Sequence, residues 1–140
     1  MVHRSLLLAA DHEVLSSARQ ALLASLAGEL DGAVVGDVGV VLAELAANAV
    51  DHTASTWIRV EVEVEGSVVL VIVSHDAPAS SVPAVGGWAC RPAAGRGLGL
   101  GIVRALCADV VVAGNGERTT LRCRLAITDR RAAASTPTTR

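Results

Sequence analysis

DVGVVLAELAANAVDH, residues 37–52, carries two patterns at once. At about 100° per residue, Val38, Val41, Leu42, Leu45 and Ala49 fall at i, i+3, i+4, i+7 and i+11, the apolar stripe of a helix laid on a core. Glu44, Asn48, Asp51 and His52 are the polar residues that follow Asp37, and they share a different face of the same helix. A face wet along its whole length favours long Lys and Arg side chains. This one holds short carboxylates and an amide flanked by Val40 and Ala47. A partly enclosed polar site is one reading, and a solvated helix face, where polar i,i+4 pairs are common, is the other. An amide oxygen and carboxylates are hard ligands suited to Mg²⁺, which keeps several waters and borrows phosphate oxygens.

Working outward, residues 5–9 read as a short strand, and Asp11 can cap a helix whose Val14, Leu15, Ala18, Leu22 and Leu26 repeat at helical spacing. The second helix is predicted to begin near Asp37. Downstream, residues 57–64 alternate Ile58, Val60, Val62 and Val64 with Arg59, Glu61 and Glu63, the period of a strand with one wet face. Glu65-Gly66 turns the chain into residues 68–73, which are apolar on both faces and so predicted to be central in the sheet. Residues 74–95 show neither period and read as a long loop, a length usual for lids and binding loops. A helix is expected over 98–108, and strands over 109–113 and 119–127 make a hairpin around Gly114-Asn115-Gly116. This order predicts an α/β (α+β) two-layer sandwich, its mixed, mostly antiparallel sheet covered on one face by about three helices. One domain over 1–127 and a disordered tail over 128–140 are expected.

Composition narrows the function classes. The 140 residues are 51% hydrophobic and 19% charged, which fits one folded core rather than a disordered chain. The apolar runs are short, or are broken by Glu44 and Asn48, so no membrane span is expected. With two Trp, no Phe and no Tyr, base-stacking platforms are disfavoured, and a net charge of −2 offers no field for a nucleic acid backbone. Three cysteines without a CxxC pair argue against a disulfide framework or a zinc site, and the N-terminus does not read as a secretory signal. A cytoplasmic protein is the expectation.

Two further segments could carry chemistry. Asp76 follows the central strand, where its carboxylate could accept from an exocyclic amine; a turn-forming Asp before Pro78 is the alternative. In Gly95-Arg96-Gly97-Leu98-Gly99-Leu100-Gly101 the glycines let backbone amides approach an anion, the next helix offers its N-terminus, and Arg96 adds a charge-assisted contact. A flexible hinge is the alternative there. Arg104 stands where a dinucleotide fingerprint needs its third glycine, and GK[ST] is missing, so the Rossmann and Walker readings are set aside. His52 could order the site, but a lone His at a helix end is more often a cap or dipole partner.

Taken together, Glu44-Leu-Ala-Ala-Asn48-Ala-Val-Asp51-His52-Thr53, Asp76 after a strand, and Gly95-Arg-Gly-Leu-Gly-Leu100 resemble the N, G1 and G2 boxes of the GHKL ATPases, with their Bergerat-type fold. The branch most resembled is that of the anti-sigma factor serine/threonine kinases. The resemblance implies ATP and Mg²⁺ as cofactors, Glu44 as catalytic base and Asn48 as metal ligand. It implies a nucleotide site of Asn48, Asp51, His52, Asp76, Gly95, Arg96, Gly97, Leu98, Gly99 and Leu100, with Asp76 reading adenine and Thr119 helping to hold the base. As partners it implies a sigma factor and an antagonist protein phosphorylated on Ser or Thr, and it allows a homodimer. An autonomous sensor histidine kinase is disfavoured, since no dimerisation helix or phosphoacceptor segment is seen. The G1 segment reads Asp76-Ala77-Pro78-Ala79, without the glycine usual two residues after the Asp. That departure supports an alternative, a partner-binding module with weak or absent catalysis.

Overall fold

The computed structural model describes residues 1–88 and 98–126. Strand β1 (Val2–Ala9) alternates half-buried and exposed side chains. It leads into α1 (His12–Leu26), whose first turn is capped by Asp11: the carboxylate accepts from the amides of Glu13 at 3.0 Å and Val14 at 3.1 Å. Leu15, Leu22 and Leu26 are its buried face.

Helix α2 (Gly32–His52) starts earlier than the expected position near Asp37. Asp31 is the cap, accepting from the Ala33 amide at 2.8 Å, and Val34 continues the buried stripe one turn before Val38. Gly32, Gly36 and Gly39 do not break it, because tertiary packing outweighs their low propensity. At Gly39 a Cβ would lie 2.9 Å from Leu23 Cδ1, so the missing side chain is what lets α1 lie close against α2. By length and composition α2 could cross a bilayer. Here Val38, Val41, Leu45 and Ala49 are sealed in the core instead.

The sheet is built from β2 (Trp57–Glu65), β3 (Val68–His75), β4 (Cys107–Gly114) and β5 (Thr119–Leu125) together with β1, in the order β1-β2-β3-β5-β4. All four pairings are antiparallel, so no parallel pair occurs among the described residues. Strand β3 is central, as its apolar run predicts, and continues to His75 rather than ending at Val73. Gly66, at φ 60°, makes the β2–β3 turn. Helix α3 (Leu98–Leu106) stops short of the expected Ala108, because Cys107 already pairs with Leu125 and an irregular step between Cys107 and Asp109 lets the strand begin there. In the β4–β5 turn, Asn115 Oδ1 accepts from the amides of Glu117 and Arg118 at 2.8 and 3.0 Å.

The three α-helices of the described residues cover one face: α1 packs on β1, α2 on β2 and β3, and α3 on α2 and β4. Val60, Val62, Val69, Val71, Val73, Leu121 and Cys123 point from the sheet into this layer. The expected long loop contains two 3₁₀ turns, Ala79–Ser81 and Val85–Gly87, and it is anchored by buried Val82 and Trp88, whose indole N–H donates to the Pro83 carbonyl at 2.9 Å. The expected tail over 128–140 lies outside the described residues.

Candidate functional site

The polar ridge of α2 faces α3. Glu44, Asn48, Asp51 and His52 line one wall of a cleft of about 150 Å³, and Gly99 and Leu100 line the other. A Cβ at residue 99 would stand 2.5 Å from Glu44 Oε1, so only glycine leaves room for that carboxylate against the first turn of α3. Glu44 and Asn48, one turn apart, are half-buried, and among the described residues neither side chain has a hydrogen-bond partner. Asp51 and His52 are exposed at the end of the helix. Asp51 Oδ1 meets His12 Nε2, from the start of α1, at 2.7 Å; sequence reading missed His12, whose position in the chain gives no sign of this contact.

The cleft has room for one hydrated cation with a phosphate group, so that the rest of a nucleotide would extend beyond it. Its oxygen donors, one amide and one carboxylate, fit Mg²⁺. The described residues contain no ready-made cage here, as expected of an ion that completes its shell with water and phosphate. The convergent His and acid grouping that does occur, His3 with Glu61 and Glu63, lies on the opposite face of the sheet.

The structure does not bring Asp76 or Thr119 to this cleft. Asp76 follows β3 on the side away from the helices, by the alternation of a strand. Its Oδ1 accepts from the amides of Thr56 at 2.7 Å and Trp57 at 3.0 Å, and its Oδ2 accepts from the Thr56 hydroxyl. Burial pushes its carboxyl pKa up, but the hydrogen bonds from Thr56 and Trp57 outweigh this and hold it below its ordinary value. These bonds clamp the end of β3 to the start of β2, and the adenine-reading role expected of Asp76 belongs to the proposed function. Thr119 is fully buried, as its inward direction predicts, and its hydroxyl donates to the Ala77 carbonyl at 2.7 Å.

The residue facing Thr119 across the β3–β5 register is His75, which is also fully buried. Its Nδ1 lies 2.9 Å from Ser55 Oγ, Ser55 Oγ lies 2.6 Å from Thr53 Oγ1, and the Thr53 hydroxyl donates to the Ala49 carbonyl of α2. Among the described residues its Nε2 has no partner. Sequence reading passed over His75 in favour of its neighbour; the available signal was strand parity, which puts 75 with Val71 and Val73. Gly95, Arg96 and Gly97, and the side chain of Leu98, lie outside the described residues. Of the glycine run, Gly99 and Leu100 are therefore the members seen at the cleft.

Residues 8–125 match the family described as histidine kinase-like ATPase domain, and the chain belongs to that family. The same architecture occurs in the histidine kinase domain of the Erythrobacter litoralis blue-light activated histidine kinase, at 16% identity and a TM-score of 0.52, over 73% of this chain and 48% of that one. This chain thus matches about half the length of that domain, and at such low identity the likeness is one of fold. No curated protein matches.

Proposed function

We propose that this chain binds ATP with Mg²⁺ at the α2–α3 cleft, transfers the γ-phosphoryl group to a Ser or Thr of an antagonist protein and binds a sigma factor, as a cytoplasmic anti-sigma factor kinase. The observation that carries the ATP part is the pair Glu44 and Asn48: half-buried, without partners among the described residues, and facing the turn where Gly99 leaves space for a carboxylate. Family membership supports nucleotide binding, and the resemblance of the boxes supports the kinase branch. Asn48 would hold Mg²⁺, which neutralises charge on the phosphates when bound. Glu44 would accept the proton of the attacking hydroxyl. Incubation with radiolabelled ATP and the cognate antagonist should label the antagonist, and Glu44→Gln should reduce the labelling rate about 100-fold. Equal labelling by the variant would overturn the assignment.

A second reading is favoured by Asp76 and Thr119, whose polar atoms are engaged by Thr56, Trp57 and Ala77. It is a partner-binding module that uses nucleotide weakly or never. Calorimetry with ATP and Mg²⁺ separates the two: no heat at millimolar nucleotide favours the module.

A further inference from the structure

We infer that the face of the sheet turned away from the helices docks a second copy of this chain, about a two-fold axis that runs along β3; the inference does not depend on the ATP reading. The strand registers lay this face out in rows that cross all five strands. One row reads His3, Glu63, Leu70, Arg124 and Asp109 from β1 to β4, and the next centres on Glu61, Ile72 and Arg122. Acids on β2 and arginines on β5 thus flank an aliphatic β3. Arg122 and Arg124 are exposed, Glu63 is half-buried, and among the described residues none of the three has an ion-pair partner. Strands β2 and β5 stand about 10 Å apart with β3 between them, and these acids and arginines do not meet within one copy.

A two-fold axis parallel to β3, in the plane between two such faces, keeps the height of every row and exchanges left for right. Glu63 of one copy then meets Arg124 of the other, twice over, and Glu61 meets Arg122 in the same way. Leu70 and Ile72 meet their own counterparts on the axis, and His3 falls over Asp109 at the edges. Arg59, the basic residue of β2, falls over Thr120, which is neutral. The angle of about 30° usual between aligned sheets displaces these pairs little, because they lie one strand from the axis. A two-fold laid across the strands would instead set β2 on β2, acid on acid, and like charges so placed are costly. Five strands of seven to nine residues present roughly 650 Å² of face, close to the ~800 Å² per partner of a standard interface. Ile72 is only 7% exposed in a single copy, so the association rests on charge more than on apolar area. The α2–α3 cleft lies in the other layer and stays open in both copies.

Sedimentation of the full chain over a concentration series should show a dimer at low ionic strength. Its dissociation constant should rise roughly tenfold or more at about 1 M salt, where the Debye length is about 3 Å. Arg124→Glu sets like charges against each other at two symmetry-related points and should raise the dissociation constant roughly 100-fold, and Glu63→Arg should do the same. A chain carrying both changes reverses every such pair and keeps the faces complementary, so its dissociation constant should return to within about tenfold of the unsubstituted value. Both side chains lie on the outer face of the sheet, and circular dichroism with an unchanged Tm checks that each variant folds. Glu61→Arg with Arg122→Glu makes the same exchange in the neighbouring row should one of the first set fail to fold. A chain that stays monomeric at every concentration in low salt would overturn the inference and leave this face to a different protein. A dimer indifferent to the single reversals must use another surface and would overturn it too, as would a loss of association that the double exchange does not restore.

Discussion

The α2–α3 cleft and the β3–β5 end of the sheet are built on opposite plans. At the α2–α3 cleft, Glu44 and Asn48 are half-buried with no partner among the described residues, beside a glycine that keeps the space open. At the β3–β5 end, Asp76, Thr119, Ser55 and Thr53 are all engaged by the chain itself, while among the described residues His75 Nε2 is not. Polar groups that serve the fold are satisfied within it, and those kept for chemistry are left wanting a partner. By that criterion the carboxylate of Asp76, both of whose oxygens are engaged by Thr56 and Trp57, serves the fold.

The largest expected effect is at Glu44, where removing the carboxylate should lower phosphotransfer about 100-fold, near 2.7 kcal/mol, with ATP affinity and Tm almost unchanged. Asp76→Ala should do the reverse. Losing the acceptor for two backbone amides and a hydroxyl should destabilise the fold by about 2 kcal/mol, read as a Tm fall of roughly 8 °C. The ATP affinity of the folded fraction should hold if Asp76 serves only the fold, and a selective loss of affinity with Tm intact would support the base-reading role expected of it. Gly99→Ala tests the open end. The new methyl meets only the tip of a flexible side chain, and helix propensity improves, so stability should change by less than about 1 kcal/mol. Phosphotransfer should still fall roughly tenfold, because Glu44 must turn aside.

The smallest effect is in the pH dependence of stability. Because the folded pKa of His75 lies below 6.5, the unfolded chain binds the proton first as pH falls. The contribution of neutral His75 is complete above about pH 6.5 and declines below it, and His75→Asn should flatten that slope in urea titrations. Asp76 acts further down: its folded pKa lies below 3.8, so its stabilisation is present above that pH and is lost as pH falls past the folded value.

Much of this molecule was legible in one dimension. The stripe and ridge of residues 37–52, the alternation in 57–64 and the doubly apolar run of 68–73 are periodic, and periodicity survives any packing. They yield the two-layer sandwich, and they put Glu44 and Asn48 on one face. The start of α2 was missed because a cap such as Asp31 is a single residue, and it caps only when the next turn of chain is already helical. The ends of α3 and β4 were missed because strand pairing at Cys107 overrode helical spacing.

What only the tertiary structure decided was which polar group serves which end. His75 and Asp76 are neighbours in the chain, and their fates differ because a strand sends successive side chains to opposite faces. Which face is enclosed depends on α2, some 25 residues upstream, and on the Thr53–Ser55 relay that reaches back to it. Local sequence encodes the period of a segment, but the partner of a hydrogen bond is a property of chain segments that meet only when the whole core has closed.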